Sequence, residues 1–139
     1  MIGYNSRLDE IQAGFLNVKL PNLLSENSRR KAIAKQYLDK IVNPKIVLPV
    51  VKNIDNHVFH LFVIRTNNRT DLQQYLKENG IETLIHYPIP PHKQEALKAF
   101  QNLSFPITEK MHNEVLSLPI SPVLVDEEVT YIIKTLNQY

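Results

Sequence analysis

Five histidines, no cysteine and three glycines bound the chemistry open to this 139-residue chain. Without cysteine there is no disulfide, thiol nucleophile or thiolate metal site. His57 and His60 lie three apart in a stretch that reads as a strand. Strand side chains alternate, so the two rings should point to opposite faces and not share a metal. His86, His92 and His112 fall on different elements, with no carboxylate at metal-ligand spacing, and no metal site is expected. A Ser-His-Asp set is compatible with the composition, but no Gly-x-Ser-x-Gly turn is present. Gly3, Gly14 and Gly80 are too dispersed to build a phosphate-cradling loop.

Two segments stand apart from generic sequence. The first is GYNSRLDEIQA, residues 3–13. As plain structure it is a loop and a helix start, with Ser6 as cap and Asp9 and Glu10 as early acids. That reading does not account for Asn5 and Arg7 together ahead of an apolar stripe. The second is HYPIPPHKQ, residues 86–94. It is either a proline-stiffened connection with incidental polar groups, or a rigid loop holding His86 and Tyr87 over a ligand at a strand end.

These segments sit within one domain's length of chain. Apolar residues make up 43%, enough for a sizeable core, and the net charge is only +2. That balance is too weak to argue for nucleic acid. No apolar run approaches the roughly 20 residues of a membrane helix, and residues 1–7 have no apolar signal core. The absence of cysteine fits a cytoplasmic protein.

The elements that must position the two segments follow from periodicity. Leu8, Ile11, Phe15 and Val18 repeat at helical spacing. Pro21 either begins a second helix or kinks one long helix. Ile33, Ala34, Tyr37, Leu38 and Ile41 carry the helical pattern to about Val42, before Asn43-Pro44. Arg29, Arg30, Lys31 and Lys35 are expected on its wet face. Residues 46–51, interrupted by Pro49, read as an edge strand. Residues 57–65 (HVFHLFVIR), 81–86 and 115–118 read as strands of one sheet. Thr70 should cap a helix closed by Gly80. Short helices are expected over 93–100 and 108–114. Asp126 should begin the last helix, with Val129, Ile132, Ile133 and Leu136 inward. The result is α+β: a helical arm and interface loop over residues 1–43, then a small, mainly antiparallel sheet with packed helices over 44–139.

Taken together, the motifs resemble the DegT/DnrJ/EryC1/StrS family of pyridoxal phosphate (PLP) dependent sugar aminotransferases. The family's G-x-N-x-R-L-D-E-x-Q-A-A is matched by Gly3, Asn5, Arg7, Leu8, Asp9, Glu10, Gln12 and Ala13, with Gly14 in place of the second alanine. Lys19-Leu20-Pro21, Leu23, Arg29-Arg30, Ala34 and Tyr37 resemble its next block. Gly80-Ile81, Thr83, His86-Tyr87-Pro88, Pro90, His92 and Gln94 match G-I-x-T-x-x-H-Y-P-x-P-x-H-x-Q. Phe105-Pro106, Thr108-Glu109 and Leu116-Ser117-Leu118-Pro119 resemble F-P-x-[TA]-E and L-S-L-P. The form of the second segment is most similar to members acting on dTDP-linked 3-keto-6-deoxy sugars.

The resemblance implies the C-terminal small domain of the type I aminotransferase fold. It implies that the Schiff-base lysine, the aspartate on the cofactor ring nitrogen and the ring-stacking aromatic all precede the first motif. The chain would therefore lack a catalytic lysine and be inactive alone, as a fragment of a longer enzyme. Asn5 and Arg7 would reach the cofactor phosphate across a homodimer, and His86, Tyr87 and His92 would line the substrate pocket. The substrates implied are a nucleotide-linked keto sugar and an amino donor, glutamate by resemblance. The competing readings are a non-catalytic binding or assembly module of the same fold, and a small basic nucleic-acid binder. For the arm two outcomes are open: self-association through its apolar stripe, or folding back to hide that stripe on its own sheet.

Overall fold

The computed structural model describes residues 9–139. The chain opens with helix α1 (Glu10–Lys19), a 3-10 turn over Leu20–Asn22 and helix α2 (Leu23–Lys40). Pro21 sits in the 3-10 turn, where its missing N–H costs least. The proline therefore marks a joint between two helices. No residue of α1 is buried, so the arm does not fold back on the sheet. Ile11, Phe15 and Val18 are 74%, 66% and 75% exposed.

The core begins in α2 with Ile33, Ala34 and Tyr37 and continues through Ile41. Strand β1 (Phe62–Arg65) contributes Phe62 and Ile64, and helix α3 (Arg69–Glu78) contributes Leu72 and Leu76. Helix α4 (Pro106–Glu114) leads directly into strand β2 (Val115–Leu118), which supplies Leu116 and Leu118. Helix α5 (Asp126–Gln138) adds Val129, Ile132, Ile133 and Leu136, the face read from its period. Tyr37 is fully enclosed, edge-on to the Phe62 ring at 5.1 Å, and donates its hydroxyl to the Pro119 carbonyl at 2.8 Å. Burial holds its phenol well above the usual tyrosine range.

β1 and β2 pair antiparallel, Phe62 opposite Leu118 and Arg65 opposite Val115. Two of the expected strands shrink to single bridges. Val47 pairs with Arg65 on one side, and Leu84 with Ser117 on the other. Pro44 and Pro49 flank Val47 and cannot donate to a ladder. Around Leu84 the backbone stays extended, with Ile81 and Thr83 turned inward and Glu82 and Leu84 outward.

The strand expected over 57–65 covers only its last four residues. Phe59 takes a left-handed φ of 48°, which bends the chain before the ladder starts. The bend buries the Phe59 ring, and the His57 Nδ1 accepts the Phe59 N–H at 2.8 Å. His57 and His60 are therefore not strand residues on opposite faces. Thr70 is not the cap of α3, which starts at Arg69 with Asn68 at the cap position. Gly80 does close it: at φ 73° it carries the paired bonds Ile81 N–H to Leu76 O (2.8 Å) and Gly80 N–H to Lys77 O (3.0 Å).

The basic cluster on α2 is not a solvated face. Arg29 donates to Asp126 (2.8 Å) and to the Leu124 carbonyl (2.5 Å), tying α2 to the start of α5. Lys31 donates to the Asp55 carbonyl at 2.9 Å. Only Lys35 keeps the expected exposed position, paired with Asp39 one turn on. At the other end of α2, buried Asn43 donates to the Leu136 carbonyl at 2.8 Å and accepts the Lys45 N–H at 2.9 Å. It satisfies a carbonyl of the last turn of α5 that the helix cannot pair itself.

Candidate functional site

The segment 86–94 leaves the sheet just after Leu84 and runs along α4. Pro88, Pro90 and Pro91 keep it from forming regular structure beyond a 3-10 turn over Pro91–Lys93. The short helix expected after it is a second 3-10 stretch, Glu95–Phe100, broken by a non-helical Leu97.

Two sets of bonds hold the segment. At its start, the half-buried His86 shares a 2.9 Å hydrogen bond between Nδ1 and the Ser117 hydroxyl on β2. The Tyr87 ring stands edge-on to His86 at 5.4 Å and is largely exposed. The Tyr87 carbonyl accepts from His112 Nδ1 at 2.5 Å. At its end, His92 is only 7% exposed, with Nε2 2.9 Å from Glu109 and the Phe105 ring edge-on at 4.9 Å. Lys93 donates to the carbonyls of Gln101 (2.8 Å) and Leu103 (3.0 Å), which closes the loop that follows.

Glu109 and His112 are three apart on α4 and so share a helical face. That face is the rail to which both ends of the segment are fastened. His86 and Tyr87 are brought together at the sheet end, and His92 is held separately, turned into the fold. Direct ligand contact through His92 Nε2 requires the Glu109 pair to open. Asn5 and Arg7 lie outside the described residues. The residues that spacing alone did not single out are Ser117, Glu109 and His112. Their signal was present, in the L-S-L-P and F-P-x-[TA]-E blocks and the i, i+3 spacing on α4.

Glu109 also accepts the Phe105 N–H at 3.1 Å. The His92 bond, then the Phe105 bond, hold its carboxyl below the usual carboxylate range. The clasp is thus fully formed above the ordinary carboxylate pKa and is lost as pH falls through the lower folded value. In an acid titration followed by NMR, the Phe105 amide and His92 ring signals should move together. The Glu109→Gln variant should lack that step. A step that persists in the variant would assign it to another group.

Among the described residues the buried polar side chains are Asn43, Thr66, Thr83, His92, Ser117 and Thr135, and none of these is a lysine. Among the described residues no group of three or more His, Asp or Glu is placed to hold a metal, and no helix is long and apolar enough to cross a membrane.

Comparison with known proteins places this arrangement. The sequence profile of the DegT/DnrJ/EryC1/StrS aminotransferase family matches residues 1–137. The dTDP-3-amino-3,6-dideoxy-alpha-D-galactopyranose transaminase of Aneurinibacillus thermoaerophilus is 54% identical over 137 residues, covering 99% of this chain and 38% of that protein. DesV from S. venezuelae superposes with a TM-score of 0.89 at 40% identity, over 99% of this chain and 38% of that one. NtdA from Bacillus subtilis, solved with bound cofactor PMP, gives 0.84 at 30% identity, over 98% and 33%. The chain thus spans between 33% and 38% of the length of these relatives. With its motif blocks, its fold and nearly its whole length matched, the chain belongs to the DegT/DnrJ/EryC1/StrS aminotransferase family.

Proposed function

We propose that this chain is the C-terminal portion of a PLP-dependent enzyme that transfers an amino group from an amino acid, glutamate, to a nucleotide-linked keto-deoxysugar. The observation that carries the reading is the 54% identity, over 99% of the chain, to a dTDP-sugar transaminase. In this reading residues 1–43 supply the interface loop and arm, and residues 44–139 the small domain. Asn5 donates an amide hydrogen bond to the cofactor phosphate of a dimer mate, and Arg7 supplies charge near that phosphate or the donor's carboxylate. His86 and Tyr87 meet the sugar or diphosphate, and His92 sets the far end of their loop. PLP, when bound in the whole enzyme, supplies the electron sink for the amino transfer. In this reading the enzyme works in the cytoplasm.

The chain alone is expected to be inactive. Incubation with PLP followed by borohydride should label exposed lysines at low, scattered occupancy. Stoichiometric trapping at one lysine would overturn the fragment reading. The positive test is a hybrid in which this chain replaces the matching segment of the A. thermoaerophilus transaminase. The hybrid should convert glutamate to 2-oxoglutarate beyond one equivalent per PLP only when the dTDP-linked keto sugar is added to take the amino group. A folded, PLP-loaded hybrid without that dependence would count against the substrate class.

A further inference from the structure

Neither hydrogen bond that holds the His86–Tyr87 dipeptide comes from its own loop. Ser117 is buried on β2, opposite Val63. Its N–H and carbonyl are both bonded to Leu84, at 2.8 and 3.3 Å, so its backbone is fixed two residues from His86. Its hydroxyl has His86 Nδ1 as partner. His112 lies in the last turn of α4. A carbonyl can only accept, so the His112 Nδ1 that bonds Tyr87 carries the hydrogen. The His112 carbonyl is in turn capped by Arg69, from the first turn of α3. The cation meets the negative end of α4 there, which fixes the turn that carries the His112 ring.

We propose that Ser117 and His112 are positioning residues that hold His86 and Tyr87 in the shape in which they meet substrate. This rests on reading those two residues as the substrate face. With Nδ1 held by Ser117, a ligand meets His86 through Nε2. With its carbonyl held by His112, the exposed Tyr87 is presented from a fixed backbone. A loose dipeptide would lose conformational freedom on binding, and the two tethers remove that loss beforehand. Each tether is anchored in a different element, so the two substitutions should act separately.

The test has a structural arm and a binding arm. In the chain itself, Ser117→Ala should move the ring nitrogen signals of His86 in NMR spectra and leave Ile64 and Leu116 amide exchange slow. His112→Ala should move the Tyr87 carbonyl carbon signal, and His112→Asn, whose side-chain N–H sits where Nδ1–H was, should restore it. Unchanged His86 and Tyr87 signals overturn the proposal, whatever the binding arm shows. In the hybrid transaminase, with dTDP as probe, Ser117→Ala and His112→Ala should each weaken the Kd about tenfold, and His112→Asn should recover it to within about twofold. If the two alanine variants leave the Kd unchanged while His86→Ala and Tyr87→Ala weaken it, the positioning role fails and the substrate reading stands. If His86→Ala and Tyr87→Ala also leave it unchanged, the substrate reading itself fails, and this proposal with it.

Discussion

Phe62→Ala is expected to destabilise the chain by about 3–5 kcal/mol, the range seen when a buried aromatic is cut back to a methyl group. Phe62 is 1% exposed at the first position of β1. It meets Tyr37 of α2 edge-on at 5.1 Å and the Phe59 ring at 6.3 Å, and lies opposite Leu118. Removing the ring empties the place where helix, bend and sheet meet, and the left-handed Phe59 cannot simply slide in to fill it. Native domains have only about 5–15 kcal/mol to lose, so one such change brings the chain close to unfolding. Tyr37→Phe is the informative contrast. It keeps the ring and the edge contact and removes only the hydroxyl on Pro119, which should cost about 1–3 kcal/mol for the carbonyl left unpaired. Urea unfolding of the three proteins decides the point. A loss below about 1 kcal/mol for Phe62→Ala would mean that the three rings do not form one packed cluster.

The second large effect is expected in the arm. Ile11, Phe15 and Val18 lie at helical spacing on α1 and stay in water, as do Leu20 in the joint and Leu24 beyond it. Beside the arm a cleft of about 650 Å³ opens between Leu16, Leu20 and Leu23 and the exposed Val58 and His60. Each large apolar side chain moved out of water contributes about 1.5–3 kcal/mol. A two-fold contact counts every such side chain twice, and closed two-fold contacts are the commonest kind. The expected result is a symmetric dimer through residues 8–24 at micromolar concentration, seen by sedimentation equilibrium. The double variant Ile11→Asp, Phe15→Asp should weaken it at least about a hundredfold, since two side chains on each protomer lose their cover. The substitutions change no buried residue, so below the dimer Kd, where association adds no stability, the core should unfold at the same urea concentration as before. A wild-type chain that stays monomeric at high micromolar concentration would rule out self-association through this face.

Periodicity and turn chemistry alone determined the parts of this protein whose causes are local. The inward face of α5 is set by 3.6-residue spacing, the end of α3 by a glycine that can take a positive φ, and the break after α1 by a proline without a donor. The motif blocks likewise carried the family, because ordered residue types are a property of the chain and need no coordinates. The tertiary structure decided what depends on a partner distant in sequence. The stretch over 57–65 has strand composition throughout, yet the left-handed Phe59 serves burial of its ring in a core built by α2 and β2, and no local signal encodes that. Arg29 reads as a surface cation until the start of α5 and the loop before it bring Asp126 and the Leu124 carbonyl to it, 97 and 95 residues away. His92 reads as a ligand group beside His86 and Tyr87, but Glu109 of α4 and Phe105 just before that helix enclose it. Ser117 looks like one polar residue in an apolar strand. Only the bridge to Leu84 sets its hydroxyl against His86, because a strand side chain acquires its chemistry from whatever the neighbouring strand places opposite it.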